Sequence, residues 1–220
     1  MLDDAPLVYQ QISNKKTFNQ AKKIFDKSFD DALATVEGHL VDARTQNKKL
    51  AVEDVPLSYM VANELAKRGE VDRAMNIISN LAAELTYYGQ ANQANIIMRN
   101  ASPVTKAKAM QNLINKLNND LTSSQKKKNV KKGLGTETGE IVLDNGLLQE
   151  YVNATDDTQR NAVIDKINQS IADQMPPTLV EQFNAMRYAN MLGNFKTIER
   201  NVTGNALFYL LTKAKNRNNV

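Results

Sequence analysis

Between residues 176 and 205, polar and cationic side chains recur at short intervals: Arg187, Asn190, Asn194, Lys196, Thr197, Arg200, Asn201 and Asn205. Arginine forks take phosphate or carboxylate through two parallel hydrogen bonds, and asparagine offers a partner backbone both a donor and an acceptor. If the flanking apolar residues build two helices joined at Gly193, several of these groups converge near the turn as a partner or nucleic-acid surface. The same residue types also cap helices and tie a hairpin to its bundle, so both readings stand. A second set is denser: Lys126, Lys127, Lys128, Lys131 and Lys132. Each phosphate that such lysines neutralise adds a salt-sensitive, sequence-independent increment of affinity. The run holds no aromatic residue to stack a base, and a solvated loop kept soluble by charge is its plainer explanation.

Other chemistries lack their raw material. Cysteine is absent and His39 is the only histidine, which removes most routes to a zinc site, an iron–sulfur site, a thiol nucleophile or a Ser-His-Asp triad. No catalytic residue, metal or cofactor is expected, and His39 reads as structural or solvent-facing. The stretch GLGTETG, 133–139, invites a phosphate-loop reading. It follows a polar lysine run rather than a strand, and Gly139 precedes Glu140 rather than a Lys-Ser/Thr pair. The paired carboxylates Asp3-Asp4, Asp30-Asp31 and Asp156-Asp157 sit near expected helix starts, where free N–H groups favour negative charge.

The elements that would carry these residues are helical. Phe18, Ala21, Ile24 and Phe25 mark a short amphipathic helix over 17–26. Ser28 can cap a second, with Phe29, Leu33, Val36 and Leu40 as one stripe. Asp54 can cap a third (Leu57, Met60, Val61, Leu65) that ends at Gly69. A fourth follows at once, with Val71, Ala74, Met75, Ile78 and Leu85 inward, and stops at Gly89. Joined across one glycine, this pair reads as an antiparallel hairpin, and ANELAKRGEVDRAMNII is similar to a tetratricopeptide helix pair without a second copy. A short helix runs through Met98. Ser102-Pro103 opens a long one, with Val104, Ala107, Met110, Leu113, Ile114, Leu117 and Leu121 inward.

From 122 to 139 the apolar period fails, and five lysines and three glycines read as a flexible connector. Residues 140–143 form a short extended run or a helix lead. Asp144 can cap a helix holding Leu147, Leu148, Tyr151 and Val152. Thr155 can cap another with Val163, Ile164, Ile167 and Ile171. Pro176 and Pro177 break the chain before a helix with Leu179, Phe183, Met186 and Leu192, and Asn194 can cap the next. No segment alternates as a strand does. The expectation is an all-α bundle of antiparallel helical hairpins: an N-terminal domain at 1–121, a linker at 122–139, and a C-terminal domain at 140–220 holding the 176–205 hairpin.

The run Met186-Arg-Tyr-Ala-Asn-Met-Leu-Gly-Asn, then Lys196-Thr197, Arg200-Asn201 and Gly204-Asn205, resembles a signature of the large polyvalent proteins of tailed bacteriophages and prophages. In that pattern an aromatic precedes the arginine, and a proline and an arginine follow the Gly-Asn. Here Met186, Phe195 and Lys196 stand in those places. The segment Gly89-Gln-Ala-Asn-Gln-Ala94 before a proline-started helix is similar to another part of the same family. The likeness covers roughly 56–121 and 154–205. It implies a virion-associated or co-delivered helical module and assigns no role to any residue.

The chain has 220 residues, 42% of them hydrophobic, enough for a real core. No apolar run approaches the roughly 18 residues of a membrane span, and the first residues lack a signal-peptide pattern. A net charge of +4 is compatible with nucleic acid without being diagnostic. The resulting expectation is a non-enzymatic interaction module in a phage virion or the bacterial host cytoplasm. Its partners would be other phage or host proteins, with nucleic acid near its basic segments. The competing reading is a small phage-encoded inhibitor of a host defence nuclease or regulator.

Overall fold

The computed structural model describes residues 5–174 and Leu179. Among them are ten helices and no strand. They are α1 (Ala5–Ile12), α2 (Lys15–Lys27), α3 (Phe29–Gln46), α4 (Asp54–Lys67), α5 (Val71–Tyr87), α6 (Ala91–Met98), α7 (Pro103–Asp120), α8 (Ser123–Lys131), α9 (Asn145–Asn153) and α10 (Asp157–Gln174). The all-α expectation therefore holds. None of these helices is long and apolar enough to cross a membrane.

Helix ends are set where local chemistry dictates. Ser28 Oγ accepts from Asp31 N–H and Ser102 Oγ from Thr105 N–H, each at 3.2 Å, satisfying a backbone donor that the first helical turn leaves free. Gly69 and Gly89 adopt positive φ of 84° and 75°. Around them Glu70 N–H bonds Leu65 C=O and Gln90 N–H bonds Leu85 C=O, closing α4 and α5 with the same reversal.

α5 is the axis of the bundle, packed against α3, α4, α6 and α7. Ile77, Ile78, Leu81 and Leu85 on α5 meet a core that includes Leu57 and Leu65 of α4 and Leu113, Ile114 and Leu117 of α7. α2 lies on α3 and α4, while α9 pairs with α10 and touches α7. α1 docks mainly against α6, far along the chain: Val8 and Ile12 are buried, and Gln93 Nε2 donates to Ile12 C=O at 2.8 Å.

Several expectations need correction. Val71 and Val104, expected inward, are about half exposed (53% and 49%) because each lies in a first turn, ahead of the packed part of its stripe. Asp54 does not cap α4. It is buried, its Oδ2 accepting from Ala51 N–H and its Oδ1 bonding His39 Nδ1, both at 2.8 Å, so it closes the loop before the helix. Thr155 leaves the capping of α10 to Asp156, whose Oδ1 accepts from Gln159 N–H at 2.8 Å.

The largest correction concerns 122–139, which is no bare connector, since α8 fills half of it. The chain on either side is packed as well: Leu121, Ile141 and Leu143 belong to the same apolar cluster as Val8 and Leu179. Residues 141 and 142, which belong to no helix, are gripped by side-chain amides. Asn118 donates to Ile141 C=O and accepts from Ile141 N–H (2.7 and 2.8 Å), and Gln174 does the same for Val142 (3.0 and 2.8 Å). Carboxamides can satisfy backbone outside a helix because each carries both donor and acceptor.

Burial also marks two tyrosines. Tyr9 packs against Phe18 and Tyr59, with ring centroids 5.2 and 5.4 Å away, and desolvation pushes its phenol up to about 12. Tyr151 is pushed to about 12 for the same reason. A raised folded-state pKa stabilises the fold fully below the unfolded value near 10 and loses that contribution as pH rises toward 12. An absorbance titration should show these two phenols resisting ionisation until about pH 12 or until alkaline unfolding. Complete titration of all tyrosines near pH 10 with the fold intact would contradict their burial.

Candidate functional site

Of the two cationic sets read from sequence, the structure places one. Arg187, Asn190, Asn194, Lys196, Thr197, Arg200, Asn201 and Asn205 lie outside the described residues. The five lysines fall on α8 and its C-cap.

α8 has almost no apolar face, and Asn129 is its one buried residue. The helix stands because both ends are closed and the chain after it folds back on it. At the N-terminus, Thr122 Oγ1 accepts from Gln125 N–H (3.2 Å) while Gln125 Oε1 accepts from Thr122 N–H (2.8 Å), satisfying two donors reciprocally. At the C-terminus, Gly133 at φ 68° lets Leu134 N–H reach Asn129 C=O at 2.9 Å. The chain then folds back: Thr136 N–H bonds Glu140 C=O, Gly139 N–H bonds Thr136 C=O, and Asn129 Nδ2 reaches Gly139 C=O at 3.1 Å. Lys126 pairs with Glu140, which holds that carboxyl below its ordinary pKa. Residues 122–141 thus form a clip anchored to α7 through Asn118.

The other four lysines are what the clip displays. At about 100° per residue, Lys127, Lys131, Lys128 and Lys132 fall in one arc of about 140°, whose centre lies about 130° from Asn129. All four are exposed, and among the described residues none is in an ion pair. The arrangement is a fixed cationic face. It can take up phosphates or carboxylates, and a stacked base would find no ring there. Lys128 and Lys131 also lie in the last turn, where the helix dipole favours positive charge.

The glycine-rich stretch is part of this clip and not a phosphate cradle. The N–H groups of Gly133, Leu134, Thr136, Gly139 and Glu140 all donate to internal acceptors. The carboxylate pairs are helix starts: Asp30 and Asp31 occupy the first turn of α3, and Asp156 and Asp157 open α10. Asp3 and Asp4 lie outside the described residues. No group of three or more His, Asp and Glu among the described residues could hold a metal.

Sequence reading missed one polar cluster entirely. Lys116 sits in the apolar stripe of α7, 1% exposed, with Nζ 2.6 Å from Glu84 Oε2 and 2.7 Å from Ala43 C=O in the last turn of α3. Its ammonium also lies 4.5 Å from the Tyr87 ring centroid. Tyr87 donates to Asp120, Asn47 Nδ2 donates to the other Asp120 oxygen at 2.9 Å, and Tyr88 donates to Asn47 C=O at 2.7 Å. Burial raises the Glu84 pKa against the lowering effect of Lys116. With both charges sealed from solvent, the cluster ties the ends of α3, α5 and α7 together. No protein-family model, curated protein or solved structure matches this chain.

Proposed function

We propose that the chain is a non-enzymatic helical interaction module of a phage or prophage virion-associated protein, structural or co-delivered. It docks through rigid helix faces on other phage proteins, with its basic segments near packaged DNA. The observation that carries the docking part is α8. A nine-residue helix with one buried side chain is held by a capping box, a glycine reversal and a side-chain clamp, and its product is four exposed lysines on one face with no ion pair among the described residues. The phage part rests on the resemblance of 56–121 and 154–205 to large polyvalent proteins.

The test is mass spectrometry of virions purified from the phage or induced prophage that encodes the chain. Its peptides should be present at a fixed ratio to capsid protein. Replacing Lys127, Lys128, Lys131 and Lys132 together by glutamine should leave the melting curve nearly unchanged, as exposed substitutions do, and lower the amount retained in virions. Virions free of the wild-type chain would overturn the virion reading.

A further inference from the structure

The positive charge of this chain is concentrated. α2 carries Lys15, Lys16, Lys22, Lys23 and Lys27 against a single acid, Asp26, so one helix holds a net +4, equal to the charge of all 220 residues. At about 100° per residue, Lys16, Gln20, Lys23 and Lys27 fall within about 60° of one another, with Asn19 alongside. Lys15, Lys16, Asn19, Gln20 and Lys23 line one shallow open trough. The opposite side of the helix is occupied: Thr17 and Ala21 are buried, and Phe18 and Phe25 pack on the core. Lys22 is paired with Asp26 at 2.6 Å, and Lys16, Lys23 and Lys27 pair with no acid among the described residues.

Stability does not account for this pattern. Cations in a first helical turn oppose the helix dipole, and Lys15 and Lys16 stand there with no acid beside them. Lys23 and Lys27 are a like-charge pair one turn apart, also unfavourable. We propose that the outward file of α2 binds the sugar–phosphate backbone of duplex nucleic acid, independently of sequence. Lys16, Lys23 and Lys27 stand about 10 and 6 Å apart along the axis, a spacing that lets the three flexible side chains reach separate phosphates of the backbone. Gln20 and Asn19 supply amide donors to phosphate oxygens between them. The file carries no aromatic, so a single strand has nothing to stack on. A membrane surface is disfavoured because the apolar side that would insert is already packed against α4. This inference depends neither on α8 nor on a phage origin.

The experiment is fluorescence anisotropy of the full chain with a short random-sequence DNA duplex across a salt series. A Lys16→Gln/Lys23→Gln/Lys27→Gln variant should lose about 3 from the slope of log K against log salt, roughly 0.9 per phosphate contact. Its affinity at low salt should fall at least tenfold, with an unchanged circular dichroism spectrum, and the matching Lys→Arg variant should keep the wild-type slope. Absence of duplex binding by the wild type overturns the inference. So does an unchanged slope in the glutamine variant, including the case where the four-lysine α8 variant alone abolishes binding. Binding of poly-glutamate as tight as that of DNA would make the partner an acidic protein and equally overturn it.

Discussion

Lys116→Met should destabilise the fold by about 3–5 kcal/mol, because it leaves Glu84 buried and unpaired. For a chain of this size that is a drop in melting temperature of roughly 6–20 °C. Glu84 is 4% exposed, and its nearest cation is the Lys116 ammonium at 2.6 Å. Ala43 C=O loses its donor in the same step. Glu84→Leu should cost a similar amount, now stranding the ammonium. The double variant should recover most of the loss, since a well-packed apolar pair of similar volume avoids desolvating two charges.

pH gives a second signature. Burial raises the folded-state pKa of Glu84, so the folded state prefers the neutral carboxyl, and the penalty is present above that pKa and relieved below it. The destabilisation by Lys116→Met should therefore shrink as pH falls through the acid range. Urea denaturation at several pH values measures it. A loss under about 1 kcal/mol in both single variants would mean that water or another group reaches Glu84.

Gly139→Ala should detach the clip that holds α8. Gly139 has φ of 75°, which an L side chain adopts only at a cost, and a methyl there would overlap the Lys126 carbonyl oxygen. That oxygen belongs to helix backbone and cannot swing aside. The left-handed conformation alone costs about 1–2 kcal/mol, and the overlap adds to it, so the cheaper outcome is separation of 136–140 from α8. Without the Asn129–Gly139 clamp, α8 keeps only its caps, too little for a nine-residue helix in water. Hydrogen exchange should show the amides of α8 losing protection while those of α5 and α7 keep theirs. Full retention of α8 protection would show that the caps suffice. Gly38→Ala, where nothing lies within 4 Å of the added methyl, is the matched control.

The contrast between α8 and the other helices shows what this sequence discloses. Ser28, Ser102-Pro103, Asp144, Gly69 and Gly89 were readable because caps and reversals act within a few residues. The stripes of α3 and α7 were readable because an apolar period survives in one dimension. α8 has no such stripe, and its stability comes from Gly139 and Asn118, partners a linear pattern does not reveal. Lys116 was hidden for the opposite reason: a lysine between Ile114 and Leu117 reads as a solvated interruption until Glu84 is brought beside it from α5. On α2, Phe18 and Phe25 disclosed the packed side, yet Ile24 is 37% exposed. The outward lysine file is not legible as a face from the linear sequence, because Lys16, Lys23 and Lys27 are separated by seven and four residues and align only once the helix forms. Of the candidate site, the α8 lysines were legible as residues and not as a face, and the set at 187–205 lies beyond the described residues.

The docking of α1 on α6 bears on the order in which the chain assembles. Most helix contacts join elements adjacent or next but one in sequence, so each hairpin closes with little loop entropy. The Gln93–Ile12 contact spans 81 residues. Closing a flexible loop of that length costs about 2 kcal/mol more than closing one of six residues, because the entropy grows only with the logarithm of length. Once α2–α6 have condensed, that separation has already been bridged by the folded body, and the remaining cost is the ordering of one short helix. The α1 segment is thus made well before the α6 surface it packs on, and a ribosome-bound chain lacking α6 lacks the Gln93 side chain that holds Ile12 C=O.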